Sequence, residues 1–208
     1  MFGIPYKRNY LLAGPPGTGK TSLIFAIASM LNLNVAIVNF GPKVDDAAFM
    51  TAIAHLPSNH ILLLEDIDSL FVKRKQNDGC NIISFSGILN GLDGMGRKHN
   101  LITFMTTNHP ERLDPALLRP GRVDLQVVFS HASKEQIKTM VEKFLPGQVQ
   151  HVSIITKKAI QWNCTTAVLQ KFFFDHRECE NITDHFDELK LASKQNHQDS
   201  SPPPNMYN

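Results

Sequence analysis

The sequence predicts an α/β fold, a three-layer α/β/α parallel sheet, followed by a small helical domain. Apolar runs of strand length alternate with helical patterns through residues 1–132, and such alternation requires a parallel sheet with helical crossovers. A glycine-rich segment joins the first predicted strand to the first helix. From residue 133 the pattern is helical only, which divides the chain into a large domain (1–132), a helical domain (133–192) and a tail (193–208).

The strands of the large domain are short apolar runs. A continuous apolar run is typical of a parallel strand that is covered on both faces. The predicted strands are residues 10–13, 35–40, 60–64, 101–105 and 126–129. The fourth of these strands, which ends in a polar segment, is expected to lie next to the first.

Helical periodicity predicts the elements between the strands. The predicted helices of the large domain are residues 22–31, a helix that begins after Asp45 or Asp46 and ends at residues 57–59, and a helix around residues 84–92. Asp45 or Asp46 is expected to cap the second helix. Phe49, Ile53 and Leu56 share one face of that helix, so this face is predicted to be buried.

The helical domain begins with a recognisable cap. Ser133 followed by Gln136 forms a capping box, and the buried stripe of this first helix is predicted to comprise Ile137, Met140, Val141 and Phe144. Further helices are predicted near residues 152–162, 166–175 and 184–192. The tail, residues 193–208, contains three consecutive prolines and is predicted to be disordered.

Composition excludes several classes of protein. The net charge of +2 across 208 residues gives no basic field, so no nucleic-acid partner is expected. Cys80, Cys164 and Cys179 show no C-x-x-C spacing, which indicates a reducing intracellular compartment. No apolar run approaches the ~18 residues of a membrane helix, so no membrane segment is predicted in this chain.

The segment from Gly14 to Thr21 matches G-x-x-x-x-G-K-[ST] at every fixed position. Such a loop turns backbone N–H groups toward phosphate oxygens, and the positive end of the following helix adds to the attraction. Lys20 is expected to reach the β- and γ-phosphates, and the Thr21 hydroxyl to bind Mg²⁺. The predicted ATP-binding residues are Gly14, Pro15, Pro16, Gly17, Thr18, Gly19, Lys20, Thr21 and Ser22.

Two adjacent acids, Glu65 and Asp66, follow the third predicted strand. A phosphate loop needs such a strand end beside it, because Mg²⁺ and an attacking water must be held near the γ-phosphate. Thr21, Glu65 and Asp66 are therefore the predicted metal-binding residues. One acid is expected near the metal and the other near the water, and the sequence leaves open which is which.

The remaining candidates are an amide and two arginines. Asn108 ends the fourth predicted strand, where an amide can position the lytic water. Arg119 and Arg122 lie on either side of Pro120 and Gly121, and guanidinium groups suit the charge that develops on a γ-phosphoryl group. The plainer interpretation of these arginines is a pair of surface salt bridges.

These segments together resemble the AAA family of ATPases within the P-loop NTPases. The resemblance makes residues 14–21 the Walker A motif, residues 61–66 Walker B, Asn108 sensor 1, and Arg119 and Arg122 the arginine fingers. Segments 3–8, 62–68, 85–94, 103–110 and 167–170 are similar to one branch, the Bcs-type ATPases of mitochondria. The resemblance covers roughly residues 3–178.

The resemblance implies an AAA module that hydrolyses ATP with Mg²⁺ in a homo-oligomeric ring, each site being completed in trans by an arginine. For the Bcs-type branch it implies a chaperone or translocase for a folded protein cargo, the Rieske iron–sulfur protein, at the mitochondrial inner membrane. It also implies an N-terminal membrane helix and a family-specific domain before the core, so the sequence is expected to be a fragment or a shortened relative.

Two departures from the general AAA pattern qualify this expectation. The acids are in the order Glu65-Asp66 rather than Asp-Glu, as in the Bcs-type branch. The segment from Gly41 to Asp45 has no central aromatic residue, which disfavours threading of an extended polypeptide. The basic segment 73–75 could face the channel of a ring, but a solvated loop is the preferred expectation.

Four alternatives to a Bcs-type ATPase follow from the same residues. The chain could be an ATP-binding scaffold with little turnover, or a protein-remodelling AAA ATPase with unrelated cargo. A small-molecule kinase would leave Arg119 and Arg122 without a purpose. A DNA-handling motor is disfavoured by the near-neutral charge.

Overall fold

The structure is a computed structural model, and it describes residues 7–40, 44–57, 59–72, 83–94 and 101–199. The chain forms two compact units. The first comprises Met1–Gly14 with Lys20–Val128, and the second comprises Pro15–Gly19 with Phe129–Asn208.

The first unit is built on a parallel five-stranded sheet. Its strands are β1 (Lys7–Ala13), β2 (Asn34–Val38), β3 (His60–Leu64), β4 (Leu101–Thr107) and β5 (Leu125–Val128), in the order β2-β3-β4-β1-β5. β1 pairs with β4 along its whole length, with Ala13 opposite Thr107. The predicted fold class and the predicted neighbourhood of these two strands are therefore confirmed. The carboxyl ends of β1, β3 and β4 lie at one edge of the sheet, where they bring polar side chains together.

Helices α1 (Lys20–Met30), α2 (Asp46–His55), α3 (Ser69–Val72) and α4 (Phe85–Gly94) belong to this unit. Asp45 is the residue that caps α2, because its side chain accepts a hydrogen bond from the Ala48 amide at 2.7 Å. The short helix α3 was not predicted. The apolar core of the unit includes Phe49, Ile53, Leu62, Leu64, Ile88 and Leu92.

The helical part of the second unit contains α5 (Lys134–Phe144), a 3-10 helix (Pro146–His151), α6 (Val152–Gln161), α7 (Thr166–Asp175), a 3-10 helix (Ile182–His185) and α8 (Phe186–Asp199). The predicted capping box at Ser133 and Gln136 is present. Ile137 and Val141 of the predicted stripe are fully buried, and Met140 and Phe144 are partly buried against the same core.

Two boundary predictions need correction. Residues 193–199 continue α8, so the tail predicted to be disordered from residue 193 is wrong over that stretch. Ser193 is buried and donates a hydrogen bond to the Trp162 carbonyl, and this tertiary contact outweighs the polar composition. The second unit begins at Phe129 and includes residues 15–19, whereas the sequence placed the boundary at residue 133 and the whole loop in the first domain.

Several predictions concern residues outside the described ranges. These are the segment 41–43, the basic loop 73–75, Cys80 and the tail beyond Asp199. In the ranges that are described, no helix has both the length and the apolar character needed to cross a bilayer.

Candidate active site

Lys20 is the first residue of α1 and is 7% exposed. Its ammonium group donates hydrogen bonds to the Gly14 carbonyl at 2.6 Å and to Asn108 Oδ1 at 2.7 Å. Burial lowers the pKa of Lys20, and the carboxylates of Asp66 and Asp68 act in the opposite direction. The helix start and the ends of β1 and β4 thus converge on one cationic nitrogen.

Thr21 and Glu65 face each other beside this lysine. The Thr21 hydroxyl donates a hydrogen bond to Glu65 Oε1 at 3.0 Å. Thr21 comes from the first turn of α1, and Glu65 follows the buried strand β3 directly. Mg²⁺ prefers oxygen ligands, commonly one or two carboxylates together with substrate phosphates, so this pair of oxygens fits a Mg²⁺ ion bound with a nucleotide.

Asp66 points to a different partner. Its Oδ1 accepts a hydrogen bond from Asn108 Nδ2 at 3.2 Å, and its backbone N–H donates to the Thr106 hydroxyl at 3.1 Å. Asp66 has a φ of 48°, in the left-handed region that Asp and Asn tolerate better than most residues. Burial raises the pKa of Asp66, the neighbouring charges of Asp68 and Glu65 raise it further, and Lys20 lowers it.

Asn108 therefore links the lysine to the acid. Its Oδ1 accepts from Lys20 while its Nδ2 donates to Asp66. An amide has both an acceptor and donors on one plane, so this side chain can hold a cation on one side and a carboxylate on the other.

Asp68 belongs to the same cluster, although it is not among the residues predicted for the site. It is 7% exposed, and its Oδ1 accepts hydrogen bonds from the Thr107 hydroxyl at 2.8 Å and from the Asn108 amide N–H at 3.1 Å. It anchors the backbone that presents Asn108. Two features of the sequence could have identified Asp68: it is the third acid after β3, and β4 ends in two threonines that can donate hydrogen bonds to it.

The glycine-rich segment 15–19 is described within the second unit. Gly17 and Gly19 have φ values of 74° and 95°, a conformation that residues with a Cβ rarely adopt. The Gly17 carbonyl accepts hydrogen bonds from the Ala167 amide at 3.0 Å and the Thr166 hydroxyl at 3.1 Å. The Thr18 hydroxyl donates to the Pro15 carbonyl at 2.8 Å.

Ser22, the last of the predicted ATP-binding residues, belongs to the first unit. It lies exposed in the first turn of α1.

The two predicted arginine fingers differ in their surroundings. Arg122 donates from Nε and Nη2 to the two carboxylate oxygens of Asp93 at 3.2 and 2.9 Å, and from Nη1 to the Ala116 carbonyl. Arg119 is exposed, and no hydrogen bond or ion pair engages its side chain within the described residues. The salt-bridge interpretation thus holds for Arg122.

A parallel sheet with a glycine-rich loop after β1 and acids after β3 is typical of a nucleotide-binding α/β protein. The family model for the "ATPase family associated with various cellular activities (AAA)" matches residues 10–131. The chain therefore belongs to the AAA family, as the sequence predicted.

Within that family, the chain is similar to mitochondrial chaperones. It is 39% identical to the probable mitochondrial chaperone bcs1 of Schizosaccharomyces pombe over 175 residues, which are 82% of this chain and 39% of that protein. It is 42% identical to the mitochondrial chaperone BCS1 of Homo sapiens over 154 residues, which are 70% of this chain and 37% of that protein. The chain thus spans about two fifths of the length of these relatives.

The fold has a counterpart among solved structures. The FIGL-1 AAA domain, determined in complex with ADP, superimposes with a TM-score of 0.58 at 21% identity, covering 96% of this chain and 74% of that one. This likeness supports the AAA fold.

Proposed function

We propose that this chain hydrolyses ATP to ADP and phosphate, with Mg²⁺ as cofactor, and couples the reaction to remodelling of a protein. The observation that carries the proposal is a set of three hydrogen bonds at the carboxyl ends of β3 and β4: Thr21–Glu65, Lys20–Asn108 and Asn108–Asp66. Two acids with different partners suit two different tasks in one reaction.

The chain's own residues divide the work. The N–H groups of the 14–21 loop bind the phosphates, and Lys20 exchanges its contacts to Gly14 and Asn108 for the β- and γ-phosphates. Thr21 and Glu65 would hold a Mg²⁺ ion, which would neutralise phosphate charge. The hydrogen bond from Thr21 to Glu65 supports the metal-side assignment for Glu65.

Asp66 serves as the water-side acid. Asn108 contacts Oδ1 of Asp66, so Oδ2 is left to accept a hydrogen bond from a water molecule. The pKa of Asp66 is raised, which makes its carboxylate a stronger base. The water oxygen bonds to the γ-phosphorus, the bond to the β,γ-bridging oxygen breaks, and Asp66 takes the proton. ADP and inorganic phosphate leave.

We further propose that Arg119 of a neighbouring copy completes the site in a homo-oligomeric ring. Its exposure and its lack of a side-chain partner among the described residues support this choice over Arg122, whose guanidinium already has Asp93. A guanidinium supplied in trans stabilises the charge on the transferring phosphoryl group.

The similarity to BCS1 proteins supports a Bcs-type role for the whole protein. On this basis we propose a folded protein cargo, the Rieske iron–sulfur protein, and action at the mitochondrial inner membrane. A protein-remodelling ATPase with unrelated cargo and an ATP-binding scaffold with little turnover remain the competing proposals.

The decisive experiment mixes two inactive variants. Lys20→Ala disables the phosphate side of its own site, and Arg119→Ala disables the side offered to a neighbour. We expect each alone to lower turnover about 10³-fold or more, and a mixture of the two to regain phosphate release. Arg112→Ala, on the same segment as Arg119, serves as the matched control and should retain wild-type turnover.

The rival proposals give different results. Turnover that is independent of protein concentration, with no recovery on mixing, would contradict a site shared between copies. Tight ATP binding without phosphate release, unchanged by Asp66→Asn, would identify a scaffold.

A further inference from the structure

Two histidines and a glutamate lie close together in the helical unit, between the end of α7 and the first turn of α8. His176 directly follows α7, His185 ends the 3-10 helix before α8, and Glu188 lies in the first turn of α8. Glu188 Oε2 lies 3.1 Å from His176 Nε2, and Glu188 Oε1 lies 2.9 Å from His185 Nδ1. Each oxygen of the Glu188 carboxylate thus lies close to a nitrogen of one of the two imidazoles.

These atoms have the spacing of metal ligands. One nitrogen or oxygen from each of the three residues lies within 4.8 Å of the other two. A tetrahedral Zn²⁺ with ligand bonds of 2.0–2.2 Å sets its ligand atoms about 3.3 Å apart. Small side-chain rotations are therefore enough to bring the three atoms to bonding distance of one ion.

The hydrogen bonding of His176 leaves room for a proton or a metal ion between its ring and Glu188. His176 Nδ1 lies 2.9 Å from the Phe172 carbonyl oxygen, and because a carbonyl only accepts, Nδ1 carries the proton. In the neutral ring the lone pair is then on Nε2, the atom that faces Glu188. Two acceptors at that separation repel unless a proton or a metal ion lies between them.

Metal-binding histidines commonly use this arrangement, in which one ring N–H donates to a carbonyl and the other nitrogen binds the metal. The backbone of α7 therefore orients Nε2 before any ion arrives. Phe172 also packs its ring against His176, with the centroids 4.7 Å apart, which further restricts the imidazole.

Solvent and ions have access to this cluster. A cavity of about 420 Å³ has His176 and Glu188 in its wall, together with Lys171 and Asp175. Lys171 is paired with Asp175 at 2.8 Å, so its positive charge is partly neutralised. A water molecule from the cavity can supply a fourth ligand.

We propose that His176, His185 and Glu188 bind one Zn²⁺ ion, or a similar borderline divalent metal ion, and that this ion ties the end of α7 to the start of α8. Two histidines, one carboxylate and an open position are a donor set that Zn²⁺ accepts in proteins. The proposal is independent of ATP hydrolysis, since it uses none of the residues assigned to that reaction.

The test is a titration of the metal-free full chain with ZnCl₂ by calorimetry, in excess MgCl₂ so that oxygen sites elsewhere are occupied. We expect one Zn²⁺ per chain and a rise in the unfolding temperature, because a ligand that binds only the native state stabilises it. Affinity should fall as the solution becomes more acidic, since the imidazoles must be neutral to bind.

The variants Glu188→Gln and His185→Asn locate the ion. Loss of a residue that only hydrogen-bonds to a metal ligand weakens binding roughly 10- to 100-fold. Each of these variants removes a ligand itself, so each should weaken Zn²⁺ binding by more than that. The matched controls are Asp187→Asn, one residue away on α8, and His151→Asn at the start of α6. Both should bind Zn²⁺ like the wild type.

Absorption of the Co²⁺ complex separates this site from the cysteines. Ligation by histidine and carboxylate gives visible bands without thiolate charge-transfer absorption in the near ultraviolet. Thiolate absorption, equal affinity in Glu188→Gln and wild type, or no binding at all would each overturn the proposal and leave a proton as the bridge between His176 and Glu188. Circular dichroism of both variants identifies any loss of binding caused by unfolding.

Discussion

Arg122 and Asp93 form a two-point ion pair, with guanidinium nitrogens 3.2 and 2.9 Å from the two carboxylate oxygens. The pair ties the segment before β5 to α4. Arg119, three residues earlier, takes no part in it. Two arginines that are equivalent in the sequence pattern therefore have different surroundings.

Asp93→Asn is expected to lower stability slightly. Its hydrogen bond from Arg122 is the main reason that the pKa of Asp93 is lowered, with charge attraction to Arg122 and Lys7 adding to the shift. Because the pKa is lower in the folded state, the Asp93 carboxylate stabilises the fold fully at pH values above its ordinary pKa of 3.8. This stabilisation is lost as the pH falls through the lowered pKa. At neutral pH the cost should be below about 1 kcal/mol, because the pair is solvent-accessible.

Urea unfolding at pH 7 and in acid measures this difference, which should vanish in acid. Arg119→Ala is the control and should leave the unfolding midpoint unchanged at both pH values. A larger loss of stability from Arg119→Ala than from Asp93→Asn would contradict the assignment of the ion pair.

Asn108→Ala removes the link between Lys20 and Asp66. We expect turnover to fall on the order of 10²-fold, as when a positioned amide donor is removed from other active sites. ATP affinity should change little, since Lys20 keeps its charge and its helix position. Phosphate release and binding of a fluorescent ATP analogue check the two quantities separately, and a higher KM with normal kcat would assign Asn108 to binding instead.

The fall in turnover at low pH, the acidic limb of the pH profile, is expected to reflect protonation of Asp66. Because burial and then the charge of Asp68 raise the pKa of Asp66, the active carboxylate is lost at a higher pH than an ordinary aspartate would be. Asp68→Asn removes one like charge, so the limb should move to lower pH. The profile of kcat against pH tests this, and a limb that moves upward or stays fixed would count against Asp66 as the base.

Glycine is required where α4 packs against α2. A Cβ on Gly91 would lie 2.6 Å from Phe49 Cε1 and 3.2 Å from Ile53 Cδ1, both in the core. Gly91→Ala should therefore destabilise the protein by about 1–3 kcal/mol through overpacking. Gly147→Ala is the matched control, since a Cβ there meets nothing within 4 Å, and denaturant unfolding compares the two.

Cys164 should resist thiol reagents in the folded protein. It is 1% exposed, and burial raises the pKa of its thiol to about 11, so the reactive thiolate is scarce at neutral pH. Alkylation with iodoacetamide at neutral pH, followed by mass spectrometry, should modify Cys164 only after denaturation. Rapid modification of native Cys164 would show that the helical unit opens.

Local chemistry made several features predictable. The 14–21 loop needs glycine where φ is positive, and Gly17 and Gly19 adopt such values. The run from Ile61 to Leu64 is apolar at every position because β3 is covered on both faces. Ser133 and Gln136 specify the start of α5 through contacts only three residues apart. Features of this kind depend on residues that are close together in the chain, so they can be predicted from the sequence.

Tertiary structure decided what depends on residues distant in the chain. Asp68 became a site residue only because the order β3-β4-β1 places it against Thr107 and Asn108. The difference between Arg119 and Arg122 came from Asp93 on another helix. By itself the sequence determined the fold class, and it predicted the glycine-rich loop after β1 and the two acids after β3 as parts of the site. The register of β3 with β4 pairs Asp66 with Asn108, and the start of α1 brings Thr21 to Glu65; adjacent residues encode neither contact.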